Sequence, residues 1–243
     1  MTIKGLNPGM RSNIDVNGIN DLLGPGGGSK LVARNAEAAI KVETGMKGVK
    51  IMNLMVSGGT EAKNIGIHFA GATDNGMLSN IIGINLHTGV KIEQAKNMQI
   101  VNCWVCELPN SIELIGGENI VVKNCQLGAQ PTGITCKVQE VNKLSFINNQ
   151  VYPDGRENLV LDACNNCVIE GNNFKSYYNG ILVLNGNDNT VNKNIFWLTG
   201  AVQNQLLDHG DDFGIINVKG NNNMVASNSL SCEWAYAGAV TVN

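Results

Sequence analysis

One short pattern recurs along the chain and restricts its fold more than any other feature. A small or polar residue is followed by apolar, any, apolar, any: GIHFA from Gly66, GVKIE from Gly89, SIELI from Ser111, GITCK from Gly133, NLVLD from Asn158, GILVL from Gly180, GIINV from Gly214 and GAVTV from Gly238. Successive starts lie 23, 22, 22, 25, 22, 34 and 24 residues apart. A step this regular is the mark of a solenoid, in which each repeat buries its apolar face only against its neighbours. The apolar period is two and the runs are short and rich in Val and Ile, so the repeats are strands rather than helices. The sequence therefore predicts an all-β fold, a right-handed parallel β-helix of ~22-residue coils spanning residues 1–243 as one domain. The long step holds an extra loop around Leu198 to Asp212.

A second column supports this. Asn53, Asn80, Asn102, Asn124, Asn149, Asn172, Asn194 and Asn228 each follow a strand-like run, and Asn97, Asn119, Asn189 and Asn223 stand five residues before four of them. Asn suits coil corners because it tolerates left-handed backbone and its amide bonds to a stacked copy. The chain holds 36 Asn against 29 Gly, while charged residues make up only 15%.

Alternation assigns faces. Ile67, Val90, Ile112, Ile134, Leu159, Ile181 and Ile215 should point inward, with Asn217 also inward and unexplained. The outward columns are polar early (His68, Lys91, Glu113, Thr135; then Glu93, Lys137, Asp162) and apolar late. An outward stripe of Val160, Leu182, Leu184, Ile216, Val218, Val240 and Val242 would be a large exposed apolar patch, so burial between identical subunits is expected.

The net charge of −3 gives no electrostatic reason to expect nucleic acid or an anionic membrane as partner. No apolar run reaches the ~18 residues of a membrane span. Seven Cys, an odd number, argue against a secreted disulfide framework. The pairs Cys103/Cys106 and Cys164/Cys167 have a zinc-like spacing, but the repeat alone accounts for it. Asp208, Asp211 and Asp212 beside His209 form an acidic loop without an EF-hand pattern. His68 and His87 read as lone structural histidines, and GPGGGS from Gly24 as a loop.

The chemistry-bearing cluster is Lys91, Glu93, Glu113, Lys137 and Asp162 on the outward face. One reading is a solvated ion-pair ladder worth ~0–1 kcal/mol. The other is a carboxylate pair for glycosidic chemistry, with one acid to protonate the leaving oxygen and one carboxylate to attack or stabilise.

The stretches HTGVKIEQA, NSIELIGG, YNGILVLNGN and DDFGIINVKGNNNMVASNSLS, with MTIKG and GPGGGSKL near the start, resemble the inulin fructotransferase family and the related difructose anhydride hydrolases. The resemblance covers residues 64–231 in co-linear order. It implies a homotrimeric β-helix with active sites between subunits, a fructan or difructose anhydride as substrate, and no cofactor. It implies release of a difructose anhydride from inulin by intramolecular fructosyl transfer, or hydrolysis of that anhydride. It also implies an Asp and a Glu eleven residues apart as the catalytic pair. The Glu falls on Glu113 and the Asp position on Asn102, a carboxamide that carries no charge and does not titrate.

Three explanations stay open. Asn102 is the corner default in a member with lost or changed activity; or it is an isosteric trap; or Glu107, Glu93 or Asp162 takes the missing role. The alternative to a fructan enzyme is a non-catalytic trimeric β-helix, carbohydrate-binding or structural. A generic polysaccharide lyase or tailspike-like hydrolase is a third option. The chain is short for that family, which suggests missing flanking regions. The N-terminus lacks the apolar run of a signal peptide while a polymer substrate implies secretion, so localisation is left open.

Overall fold

A computed structural model describes residues 2–3, 13–15, 30–33, 37–58, 63–152, 157–176, 179–198, 215–232 and 240–242. Its described residues form parallel strands joined into one continuous sheet that winds as a right-handed β-helix. Thr88–Val101 pairs with Trp104–Lys123, which pairs with Gln126–Ile147, each one coil above the last.

Each coil has three faces. The first carries His68, Lys91 and Glu113, the second Leu78, Ile100 and Val122, and the third Val105, Leu127 and Phe174. Inward residues of all three form one apolar core containing Ile67, Val90, Ile112, Leu159 and Ile181. Within it the rings of Phe174 and Phe196 stack at 4.9 Å.

The corners explain the asparagines, and they resolve one column into two. Asn53, Asn80, Asn102, Asn124 and Asn148 have φ between 51° and 59° at the corner between the second and third faces. These are left-handed positions that Asn takes more readily than other non-Gly residues. Asn149, Asn172, Asn194 and Asn228 occupy the next position, turned inward. Asn172 Oδ1 accepts from the Asn149 backbone N–H at 2.8 Å and from Asn149 Nδ2 at 3.0 Å. Asn172 Nδ2 donates to the Phe146 carbonyl at 2.8 Å and to Asn194 Oδ1 at 2.9 Å. In the coils below, Cys103 and Cys125 take this place, and Cys125 N–H donates to Asn149 Oδ1 at 2.9 Å. Asn97 and Asn119 are likewise left-handed at the corner after the first face, while Asn189 and Asn223 form an inward amide column beside it.

The registers correct the expected faces at two coils. Cys136, not Ile134, stands between Ile112 and Leu159, and Lys137, not Thr135, stands between Glu113 and Val160. This slip is two residues and puts Thr135 at the strand entry, where it is fully buried, while Ile134 is only partly buried and stays out of the core. The second slip is one residue and reverses the faces. Ile216 pairs with Ile181 and Val218 with Val183, so both point inward and are fully buried. Val240 pairs with Ile216 and Val242 with Val218, so they follow that register. Asn217 therefore lies in the outward column of Leu182, which removes its anomaly as a core residue. It is buried, and among the described residues its side-chain polar atoms find no hydrogen-bond partner. The expected apolar stripe contracts to Val160, Leu182 and Leu184, because Ile216, Val218, Val240 and Val242 leave it.

Candidate functional site

The first face gathers most of the expected residues. Lys41, His68, Lys91, Glu113 and Lys137 succeed one another in a single outward column, one per coil. Glu93 lies two positions along from Lys91, in a column that continues through Ile115 and Gln139 to Asp162. Coils stack at ~4.8 Å, so Asp162 is roughly 14 Å above Glu93 and about 10 Å above the level of Glu113.

Charge converges in the lower part. Lys91 Nζ sits 2.8 Å from Glu93 Oε1. His68 Nε2 is 3.3 Å from Glu93 Oε2, and His68 Nδ1 is 3.6 Å from Glu37 Oε1. Glu37 also reaches Lys41 Nζ at 3.4 Å. The His68 side chain is only 5% exposed, yet neither ring nitrogen attains hydrogen-bond alignment. The hydrogen bond from Lys91 holds the Glu93 carboxyl below the usual range despite partial burial, and His68 adds to the effect. Reciprocally, the bond to Glu93 raises Lys91, helped by the charges of Glu93, Glu113 and Glu37. Glu93 is thus a fixed anion at neutral pH, directly below the level of Glu113.

Two expected residues lie elsewhere. Asn102 is an exposed corner residue with φ 56°, its N–H donating to the Lys123 carbonyl at 3.1 Å. It follows Val101, which stacks between Ser79 and Lys123 on the second face. Eleven residues is half a coil, so within one chain Asn102 and Glu113 lie on different sides of the helix. Glu107 is left-handed (φ 64°) and exposed at the corner that ends the third face, with Gln130 Nε2 donating to its carbonyl at 3.3 Å. His68 and Glu37 are the members that sequence reasoning missed. His68 stands in the Lys91 column, and that placement was the available signal.

The cysteines belong to the architecture. Cys103, Cys125, Cys136, Cys164 and Cys167 are free and buried, and Cys106 is buried with its thiol donating to the Gln126 carbonyl at 3.5 Å. Cys103 and Cys125 thiols donate to the Val101 and Lys123 carbonyls at 3.4 and 3.3 Å, and Cys164 and Cys167 to those of Asp162 and Asn165 at 3.3 and 3.4 Å. Burial pushes the Cys136 thiol well up. Among the described residues, no group of three or more His, Cys, Asp or Glu side chains converges as a metal site would require. Asp208, Asp211, Asp212 and His209 lie outside the described residues.

Fold and site together define a parallel β-helix with a charged lateral face. The chain belongs to the family described as periplasmic copper-binding protein (NosD), whose model matches residues 102–237. No curated protein sequence matches it. Among solved structures it is similar to DFA-IIIase from Arthrobacter chlorophenolicus A6 without its lid, at 23% identity and TM-score 0.69, over 81% of this chain and 54% of that one. The same enzyme in complex with GF2 matches at 22% identity and TM-score 0.71, over 84% and 56%. PfbA, a surface adhesin of Streptococcus pneumoniae, matches at 8% identity and TM-score 0.54, over 84% and 62%. The chain thus spans just over half the length of the DFA-IIIase structures, and the likeness is one of fold.

Proposed function

We propose that the first face is a fructan-processing site of the inulin fructotransferase type, acting on inulin or on a difructose anhydride. The observation that carries this reading is the convergence of Lys91, Glu93 and buried His68 in the two coils beneath Glu113, with Lys91 directly below it. The family resemblance of the surrounding stretches and the fold likeness to DFA-IIIase support it. Glu113 acts as general acid on the leaving glycosidic oxygen. Glu93, kept ionised by Lys91, accepts the proton of the attacking hydroxyl, which is a sugar hydroxyl in anhydride formation and water in hydrolysis. One coil and two positions separate Glu93 from Glu113, ~8 Å between Cα atoms, a spacing from which carboxyls reach the separations glycosidic chemistry uses. Lys137 and Asp162 extend the face for further sugar units. Asn102 and Glu107 come near such a site only from another copy, and we place that copy in a homotrimer whose contact includes Val160, Leu182 and Leu184.

The family description also raises copper. Thiolates suit Cu(I), but the thiols of Cys103 and Cys125 are buried, engage backbone carbonyls, and occupy the column that Asn149 and Asn172 fill elsewhere. The described residues do not fit a resident copper site.

The second reading is a non-catalytic carbohydrate-binding or structural β-helix. It is favoured by Asn102, which carries no charge where the resemblance expects an Asp. Incubation with inulin and, separately, with difructose anhydride, followed by product chromatography, distinguishes the two. The first reading expects products that vanish in Glu113→Gln. Products unchanged in Glu113→Gln, or none from either form, would overturn it.

A further inference from the structure

The third face carries a different chemistry from the first. Its strands pair in two outward columns. One runs Trp104, Gln126, Gln150, Asn173, Ile195. The other brings Lys175 into register with Trp197 on the next coil, with Tyr152 one coil below Lys175. Among the described residues of these columns above Trp104 there is no carboxylate, and Lys175 is the single charge. Tyr152 Oη donates to Gln126 Oε1 at 3.2 Å, which ties the ring to the neighbouring amide. Lys175 Nζ lies 5.8 Å from the Trp197 ring centroid. Trp197 is nonetheless 43% exposed, unusual for so large an apolar group, and Gln150 and Gln126 are exposed two and three coils below it in the neighbouring column.

We propose that this face is a second binding surface, which takes an extended chain of neutral sugars. Sugar rings present apolar C–H faces and a rim of hydroxyls. Aromatic rings interleaved with amides match both, as the polar and apolar linings of ligand sites generally do. Trp104, Tyr152 and Trp197 recur every second coil, about 10 Å apart, over a run of roughly 19 Å. That regular advance suits a polymer rather than one compact ligand. Within these described columns a lone lysine with no carboxylate gives neither an acidic nor a basic polymer a matching field. The surface lies around the helix from Lys91, Glu93 and Glu113, so it holds a chain without touching the groups assigned to turnover.

The test is a titration of the full chain with inulin, levan and the acidic polymer polygalacturonate, followed by tryptophan fluorescence, with oligomeric state measured by sedimentation. A neutral polymer is expected to shift the emission. Trp197→Ala and Tyr152→Ala should each weaken binding about tenfold or more, and Trp197→Phe should largely preserve it. Glu113→Gln should bind as the parent does whether or not the parent turns over fructan, which separates this surface from the proposed catalysis. Denaturant midpoints of the alanine variants should stay at the parent value, because the positions are on the surface. Four results would overturn the proposal: no binding of either neutral polymer; equal affinity for polygalacturonate; Trp197→Ala and Tyr152→Ala binding like the parent; or a Trp197→Glu chain that dissociates an oligomer while polymer binding is unchanged. The last would identify the face as an interface between copies.

Discussion

Asn172→Ala is the sharpest test of how this solenoid is held together. The side chain is 1% exposed and makes four hydrogen bonds that no substituted methyl replaces. Its loss leaves the Asn149 N–H buried without its acceptor, a penalty of ~1–3 kcal/mol. The bonds to Phe146 O and Asn194 Oδ1 add about 1 kcal/mol each in net terms, giving roughly 3–5 kcal/mol in all. Asn102→Ala, at an exposed left-handed corner, sacrifices only the corner preference of Asn and should cost about 1 kcal/mol. Asn102→Gly should be close to neutral, since Gly takes positive φ freely. Guanidinium unfolding of the three variants beside the parent, followed by far-UV circular dichroism, reads these differences directly. Equal losses for Asn172→Ala and Asn102→Ala would refute the division into a structural inner column and a permissive outer corner.

Other expectations follow from the same contacts. Cys125→Asn should keep stability within about 1 kcal/mol of the parent, because it extends the amide column downward from Asn149; a large drop in denaturant midpoint would show that the thiol has a role the column does not explain. Gly117→Ala should lower the thermal midpoint markedly, since φ is 113° and a Cβ would meet the Ala95 carbonyl oxygen. Glu93→Gln should change the pH dependence of stability. The folded Glu93 carboxyl lies below its unfolded value, so its contribution is present above about pH 4.3 and is lost as pH falls through the lower folded value. Parent and variant stabilities should therefore converge in acid and differ at neutral pH, and a constant gap across the range would contradict the pairing with Lys91.

Much of the architecture was legible in the sequence because one coil carries one copy of each constraint. Gly89, Ser111 and Asn158 mark the same strand entry, and the apolar residues after them do form the core. Two coils resisted. GITCK begins two residues before its column and GIINV one residue off, and a period of two cannot sense the first slip and is inverted by the second. The expected apolar stripe is too long for that reason, since Ile216 and Val218 are core residues. Asparagine identity likewise could not separate the exposed left-handed corner at Asn124 from the buried amide column at Asn149, because both roles favour the same side chain. Lys91, Glu93 and Glu113 were found because they share a strand position. His68 was passed over as a lone histidine, since its partner Glu37 comes from an earlier coil and only the stacking brings them together.

The most direct measurement is the rate of fructan or anhydride turnover in the parent chain, Glu93→Gln and Asn102→Asp. With Glu93 as the base, the parent is active, Glu93→Gln loses orders of magnitude in kcat, and Asn102→Asp changes little. An inactive parent that gains turnover only as Asn102→Asp would contradict that assignment and move the second carboxylate to the corner.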